Sequence, residues 1–148
     1  MKKLSEIYKE LGLAFTFPIE IKDANGNETY YESSKGFWCR YEYDANGYDT
    51  YYENSNDYWY KYEYDANGNK TYYESSIGLW HRYEYDADGY ETYYVSSDNY
   101  WCRSEYDANG NVTYREDSDG VKKGTPKSAR TYGRVVKVDG IKYIITAL

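Results

Sequence analysis

Four sets of residues in the 148-residue chain have types and spacings that could do chemistry. Asp23, Asp44, Asp65, Asp86 and Asp107 each open an Asp-Ala-Asn/Asp-Gly unit, and successive units lie 21 residues apart. Such a unit begins like a calcium-binding loop, but the third acidic position and the downstream bidentate glutamate are missing. Turn chemistry accounts for it: Asp suits the first position of a type I turn, and Gly closes a bulged hairpin. Glu42, Glu63, Glu84 and Glu105 form a carboxylate series expected to stand opposite Thr50, Thr71, Thr92 and Thr113. A catalytic carboxylate pair needs two different environments to separate its pKa values, and identical repeats do not supply them. His81 is the only histidine, and Cys39, Tyr60 and Cys102 hold the same slot in the other copies, which fits a tolerant packing position. No nucleophile and base arrangement, phosphate loop or metal-ligand cluster is present, so neither enzyme activity nor a cofactor is expected.

The fourth set is aromatic. The chain holds 24 tyrosines, and Trp38, Trp59, Trp80 and Trp101 keep the 21-residue step. Tyr41, Tyr62 and Tyr83 form one series and Tyr51, Tyr72 and Tyr93 another. Tyr and Trp dominate protein interfaces and also stack on sugars. These two tyrosine series, the four tryptophans and the four glutamates are therefore the candidate binding residues.

The elements that must position them follow from the repeat. Each copy reads as two short strands, for example Trp59 to Tyr64 and Asn69 to Glu74, joined by Asp65-Ala66-Asn67-Gly68. The other connection passes through Ser-Ser and a pair such as Ile77-Gly78, which suggests a two-residue turn. With Asp65 opposite Asn69 and Ser76 opposite Leu79, both hairpins share one register, and equivalent residues line up straight across the sheet every ~9.6 Å. One face then carries Trp59, Lys61, Glu63, Thr71 and Tyr73, and the other Tyr60, Tyr62, Tyr64, Tyr72 and Glu74. Neither face is apolar enough for a sandwich core. The expected fold is mainly β: an elongated, twisted, single-layer antiparallel sheet of tandem hairpins.

Residues 1–22 are expected to form an N-terminal cap, residues 23–120 the five hairpin repeats, and residues 121–148 a basic linker with a C-terminal hairpin cap. Leu4, Ile7, Tyr8 and Leu11 give one apolar helical face, and Gly12 ends it. Leu13 to Lys22 reads as a lead-in strand. Lys122 to Arg130 reads as a loop, and the apolar residues on either side of Asp139-Gly140 give a strong hairpin signal. Cys39 and Cys102, three repeats apart, would be ~29 Å from each other in an open sheet, too far for a disulfide.

Tyr62 to Thr71, Tyr-x-Tyr-Asp-Ala-Asn-Gly-Asn-x-Thr in outline and repeated around Tyr43 and Tyr106, resembles the YD repeats of the RHS family. The resemblance covers about 100 residues, Ile21 to Gly120. In that family the repeats form β-hairpin strips that spiral into large shells around toxin domains. The resemblance implies a hairpin strip here, while five repeats are too few to enclose a domain. The Gly-x-Trp and Tyr-Tyr-Glu elements are also distantly similar to MORN-type and choline-binding hairpin repeats, which implies binding activity.

Charge narrows the partner. Residues 21–120 hold 8 Lys/Arg against 21 Asp/Glu, and residues 121–148 hold 7 against 1. A body of net -13 repels a phosphate backbone, so direct nucleic-acid binding is not expected. The leading expectation is a non-enzymatic protein that binds a partner with a basic surface. A phage-type anti-defence inhibitor mimicking nucleic-acid phosphates is the first alternative: the body carries one charge per ~3.7 Å, about half the density of duplex DNA. Carbohydrate or cell-wall binding is the second. No run of ~18 apolar residues and no signal-peptide core is present, so the expected location is the cytoplasm, that of the host cell for a viral protein, without membrane contact.

Overall fold

The computed structural model describes residues 2–127, 134–138 and 141–145. A helix, α1 (Leu4–Glu10), precedes an open sheet of eleven strands, each hydrogen-bonded to its neighbour in sequence. The strands are β1 (Ile19–Lys22), β2 (Glu28–Glu32), β3 (Trp38–Tyr43), β4 (Asp49–Asn54), β5 (Trp59–Tyr64), β6 (Lys70–Ser75), β7 (Trp80–Tyr85), β8 (Glu91–Ser96), β9 (Trp101–Tyr106), β10 (Val112–Asp117) and β11 (Lys122–Gly124). β12 (Arg134–Val138) and β13 (Ile141–Ile145) form a separate two-stranded antiparallel sheet, as the apolar pattern there predicts. The turn expected at Asp139-Gly140 lies outside the described residues. All pairing in the large sheet is antiparallel, and it is a single layer. The chain exposes 10331 Å², against about 7,900 Å² for a compact protein of its mass.

The register differs from the straight alignment expected. Tyr64 does pair with Lys70, but Glu63 pairs with Tyr72, Tyr62 with Tyr73 and Lys61 with Glu74, so Thr71 is an extra, bulged residue. Thr29, Thr50, Thr92 and Thr113 are skipped in the same way. Thr hydroxyls at 29, 92 and 113 donate to the carbonyls of Ile21, Glu84 and Glu105 at 3.2 Å, which occupies an acceptor beside the disrupted ladder. A bulge exchanges the faces of all residues beyond it. Tyr72 and Glu74 therefore join Trp59, Lys61 and Glu63, and Tyr73 joins Tyr60, Tyr62 and Tyr64. The glutamate series stands opposite tyrosine, not threonine.

The serine turns also differ. Ser75, not Ser76, pairs across to Leu79: its amide donates to the Leu79 carbonyl at 2.9 Å, and the Gly78 amide donates to Ser75 at 3.0 Å. The loop has three residues and matches the aspartate turn, where Asp65 bonds Asn69 at 2.9 Å and Gly68 bonds Asp65 at 3.1 Å. Only the last loop residue needs the left-handed conformation; it is Gly78 here and Asp57 or Asn99 in other copies. Ile77 sits in the right-handed part of the turn, which it tolerates.

Together the bulge and the turn change the sheet's geometry. Tyr62 aligns with Tyr73 and then His81, 19 residues on, whereas its equivalent Tyr83 lies two residues further along the strand. Equivalent residues thus step diagonally, by one residue per strand. That ratio equals the shear per strand of the TIM barrel, whose strands tilt about 36°.

Alternate copies differ. Asn27, Asn69 and Asn111 donate a side-chain amide to the aspartate of their own turn. Tyr48 and Tyr90 hold that position in the other copies and instead stack on the next repeat's Tyr64 and Tyr106, with centroids 5.0 Å apart in both cases. Their rings lie over Gly68 and Gly110, where an added Cβ would fall 2.4 Å from each phenol oxygen. The structural unit is therefore two hairpins long.

At the N-terminal end, Glu32 lacks the basic residue that faces its equivalents, because Ile19 stands opposite it. Its carboxylate is 1% exposed and accepts bonds from the Ser5 amide, the Ser5 hydroxyl and the Tyr30 hydroxyl. A carboxylate from the sheet thus caps α1, which has no side-chain cap of its own. Leu11, expected on the buried face, is the residue just past the helix and is 67% exposed. The basic segment expected as a loop begins with an edge strand, β11, paired through Tyr114 and Gly124.

Two measurements follow. Gly110→Ala combines left-handed strain of about 1–3 kcal/mol with the collision against Tyr90, so urea unfolding should show a smaller loss in a Tyr90→Asn background. Equal losses would exclude the ring contact. Burial raises the Glu32 pKa, but the Ser5 and Tyr30 hydrogen bonds and nearby Lys3 outweigh it and leave the carboxyl below its ordinary 4.5. The stabilisation is present above that value and is lost as pH falls through the lowered one. Protection of the Ser5 amide from hydrogen exchange, relative to its intrinsic rate at each pH, should fall in acid below pH 4.5, and Glu32→Gln should flatten the response.

Candidate functional site: two unlike sheet faces

The strand alternation gives the sheet a tyrosine face and a tryptophan face. On the first, Tyr41, Tyr52, Tyr60, Tyr62, Tyr73, His81, Tyr94 and Tyr100 form a continuous run of ring contacts. Centroids are 4.9 Å apart for Tyr41 and Tyr52, 5.1 Å for Tyr52 and Tyr60, 4.8 Å for Tyr60 and Tyr62, and 5.3 Å for Tyr62 and Tyr73. Tyr83 packs beside the run against Tyr94 at 5.2 Å. His81 stacks between tyrosines, and its Nδ1 lies 2.6 Å from the Tyr94 hydroxyl. Lys70 places its ammonium 3.4 Å from the Tyr62 ring centre.

Hydroxyls at one edge of this face join neighbouring hairpins. Tyr43, Tyr64, Tyr85 and Tyr106 donate to the carbonyls of Glu28, Asp49, Lys70 and Glu91 at 2.9–3.1 Å. These are the residues beside each bulge, where the ladder between hairpins has ended. Cys39 and Cys102 are buried on the same face and are free thiols.

The tryptophan face carries charge. Arg40 meets Glu53 at 2.6 Å, Lys61 meets Glu74 at 2.9 Å and Arg103 meets Glu116 at 2.6 Å, each pair directly opposite across two strands. The cations also lie over tyrosine rings: Arg40 over Tyr51 at 5.1 Å, Lys61 over Tyr72 at 5.5 Å and Arg103 over Tyr114 at 5.1 Å. The Tyr51 hydroxyl donates to Glu53 at 2.9 Å. Three of the five hairpins so carry a triad of cation, carboxylate and phenol. In the fourth copy Val95 replaces the glutamate opposite Arg82, and Arg82 lies 5.4 Å from the Tyr72 ring. Lys61 holds the Glu74 carboxyl below its ordinary range, the hydrogen bond being the main cause.

Trp38, Trp59, Trp80 and Trp101 are half-buried on this face; the first three pair across strands with Glu32, Glu53 and Glu74, and Trp101 pairs with Val95. A shallow cleft between Trp38 and Trp59 is lined also by Glu53, Asn54 and Asp57. Glu42, Glu63 and Glu84 are exposed, whereas Glu105 is half-buried and accepts the Lys127 backbone amide at 2.7 Å.

Of the residues singled out by sequence, the tryptophans, the glutamates and Tyr51, Tyr72 and Tyr93 share the tryptophan face. Tyr41, Tyr62 and Tyr83 lie on the other. Sequence reasoning overlooked Glu53 and Glu74 as ion-pair partners and Lys127 as a ligand of Glu105. The first two had a signal in the Tyr-Tyr-Glu doublet once the bulge is placed; Lys127 had none. Among the described residues no group of three or more acidic, His or Cys side chains could hold a metal, and no helix is long and apolar enough to cross a membrane.

This arrangement defines a tandem β-hairpin repeat sheet. Similar folds occur in Tc toxin chains. The chain matches the Photorhabdus luminescens Tc holotoxin pore structure, in a TccC3 mutant form, with a TM-score of 0.52 and 18% identity, over 80% of this chain and 6% of that one. It matches a crystal structure of TcdB2-TccC3-Cdc42 with a TM-score of 0.53 and 20% identity, over 85% of this chain and 7% of that one. A TcdB2-TccC3-TEV structure gives a TM-score of 0.52 and 19% identity over 89% and 7%. The fold expected from the YD-type turns is thus the fold found, and the chain spans less than a tenth of the chains it matches. No protein-family model matches the sequence, and no curated protein matches it.

The tyrosine face makes its own prediction. Burial raises the pKa of Tyr83 to about 12 and pushes Tyr41, Tyr60 and Tyr64 higher still. A raised phenol pKa stabilises the fold fully below the unfolded value near 10, and that stabilisation is lost as pH rises through the folded value. Absorbance at the phenolate band should therefore lag the titration of free tyrosine and rise together with alkaline loss of β-structure. Independent titration near the free value would contradict the packing described.

Proposed function

We propose that the chain is a non-enzymatic protein-binding repeat module and that its working surface is the tryptophan face. One contrast supports this reading. Rings on both faces are half-buried, but those on the tyrosine face stack on one another and join the hairpins, whereas the indoles stand on the face that carries the exposed Glu42, Glu63 and Glu84. Large amphipathic rings with adjacent charge are the composition of a protein-binding hot spot. With net -13 over residues 21–120, the partner carries a basic surface.

Affinity capture from native cells, at low and high salt, tests the reading with three proteins: wild type, a Trp59→Ser/Trp80→Ser variant and an Ile77→Ser control at an exposed turn. Circular dichroism establishes that each is folded. A protein retained by wild type and Ile77→Ser, lost from the tryptophan variant and released by salt is the expected result. Retention by the tryptophan variant, or capture of glycan or nucleic acid alone, would overturn the proposal.

A further inference from the structure

The chain already lays two of its own segments on the tryptophan face, with the same chemistry at both ends. At the first, the Ser5 amide donates to Glu32 at 3.0 Å while the Lys3 ammonium donates to the Gly36 carbonyl at 2.9 Å. At the other, the Lys127 amide donates to Glu105 at 2.7 Å while its ammonium donates to the Tyr106 carbonyl. Each segment pairs a peptide N–H with a sheet glutamate and a lysine with a backbone carbonyl. A second lysine, Lys122, meets Glu116 at 3.3 Å. Glu63 and Glu84, the equivalents of Glu105, are exposed, while Glu42 is shared with Arg40 at 3.4 Å, and Glu53 and Glu74, the equivalents of Glu32, are taken by Arg40 and Lys61.

We infer that Glu63 and Glu84 form the open part of a track for an extended, lysine-bearing segment of a partner protein, held as Glu105 and the Tyr106 carbonyl hold Lys127. The inference rests on the protein-binding reading of this face. In this geometry the segment's amides reach the carboxylates, and its ammonium groups reach strand-end carbonyls equivalent to that of Tyr106, those of Tyr64 and Tyr85. The diagonal step fixes the spacing. Two strands across and two residues along place Glu63 and Glu84 about 12 Å apart. An extended segment covers that distance in about four residues, and an even number keeps both lysines on one side. Lysines four apart therefore match the track, whereas adjacent lysines point to opposite sides.

The test is fluorescence anisotropy with the full chain and labelled synthetic peptides that differ only in lysine spacing or acetylation. The peptide with lysines four apart should bind most tightly. Acetylating its lysines, or Glu63→Gln/Glu84→Gln in the protein, should each weaken it by about tenfold or more, as loss of charge-assisted hydrogen bonds requires. Asp88→Asn/Asp119→Asn removes two equally exposed turn charges and should leave binding unchanged. Equal losses in the two double variants would reduce the effect to bulk charge and overturn the track. So would indifference to spacing, or self-association abolished by Glu63→Gln/Glu84→Gln, which would put a second copy's basic segment there. Failure of every peptide with tryptophan-dependent capture intact would overturn the track alone. Failure of both would remove the protein-binding reading too.

Discussion

At Thr29, Thr50, Thr71, Thr92 and Thr113 the backbone carries one residue more than the strand it pairs with. That surplus decides which of the two residues following each threonine goes to which face, so Tyr72 lies with the cations and Tyr73 with the rings. It also separates one hairpin from the next. The ladder between β4 and β5 has three residue pairs, against five between β3 and β4. Where the ladder stops, the hydroxyl of Tyr64 donates to the Asp49 carbonyl at 3.1 Å. Tyrosine at this position is therefore a backbone hydrogen-bond donor placed on a rigid ring, a role phenylalanine cannot fill.

A single-layer sheet must find its stability without an interior. Among residues 2–127 only Ile19, Tyr30, Cys39, Cys102 and Tyr114 are buried hydrophobic side chains. In their place, the hairpins pack their tyrosines against one another, and Arg40, Lys61 and Arg103 each pair with a carboxylate and a ring at once. Exposed ion pairs contribute little singly. Here the pair also immobilises a tyrosine whose hydroxyl it shares, as in Arg40, Glu53 and Tyr51, so packing and charge act on the same group. Energy in such an array is a sum over neighbouring repeats, and the ends are its weakest part. Both ends here differ from the middle: α1 takes over Glu32, and β11 with Lys127 takes over Glu116 and Glu105.

The sequence displayed the hairpins, their turns, the N-terminal helix and the single-layer character, because those depend on local periodicity and on Asp and Gly chemistry. It hid the bulge. Register is normally specified by which residues are apolar, and in Thr-Tyr-Tyr-Glu either tyrosine serves equally well on either face. Two compensating errors, a loop one residue too short and a missing bulge, left a register that was self-consistent but straight. The cross-strand charges held the discriminating signal. Straight pairing sets Lys61 against Tyr73 and leaves Glu74 beside Tyr60, whereas the bulged register sets Lys61 against Glu74. Burial at the helix end was harder to read, since Leu11 continues the apolar spacing after Leu4–Glu10 has already ended.

The stagger also decides what kind of surface the repeats can offer. In a straight register, like residues would form rows at right angles to the strands, and a ligand crossing the strands would meet one residue type. Here the rows are diagonal. A ligand following the glutamates keeps the tryptophans and the Lys/Arg row beside it in a fixed order at every step. Because the step is two residues, the faces never interchange along the array. From β3 to β10 each hairpin presents its tryptophan, its glutamate and its ring in the same relative position, rotated by the twist of the sheet. The chain's own segments make their contacts at opposite ends of the sheet, Lys3 and Ser5 near β2 and Lys127 near β9, and only the second lies on the glutamate diagonal. Repetition thus supplies the spacing, while the departures from it at the two ends reveal which groups on this face accept a peptide.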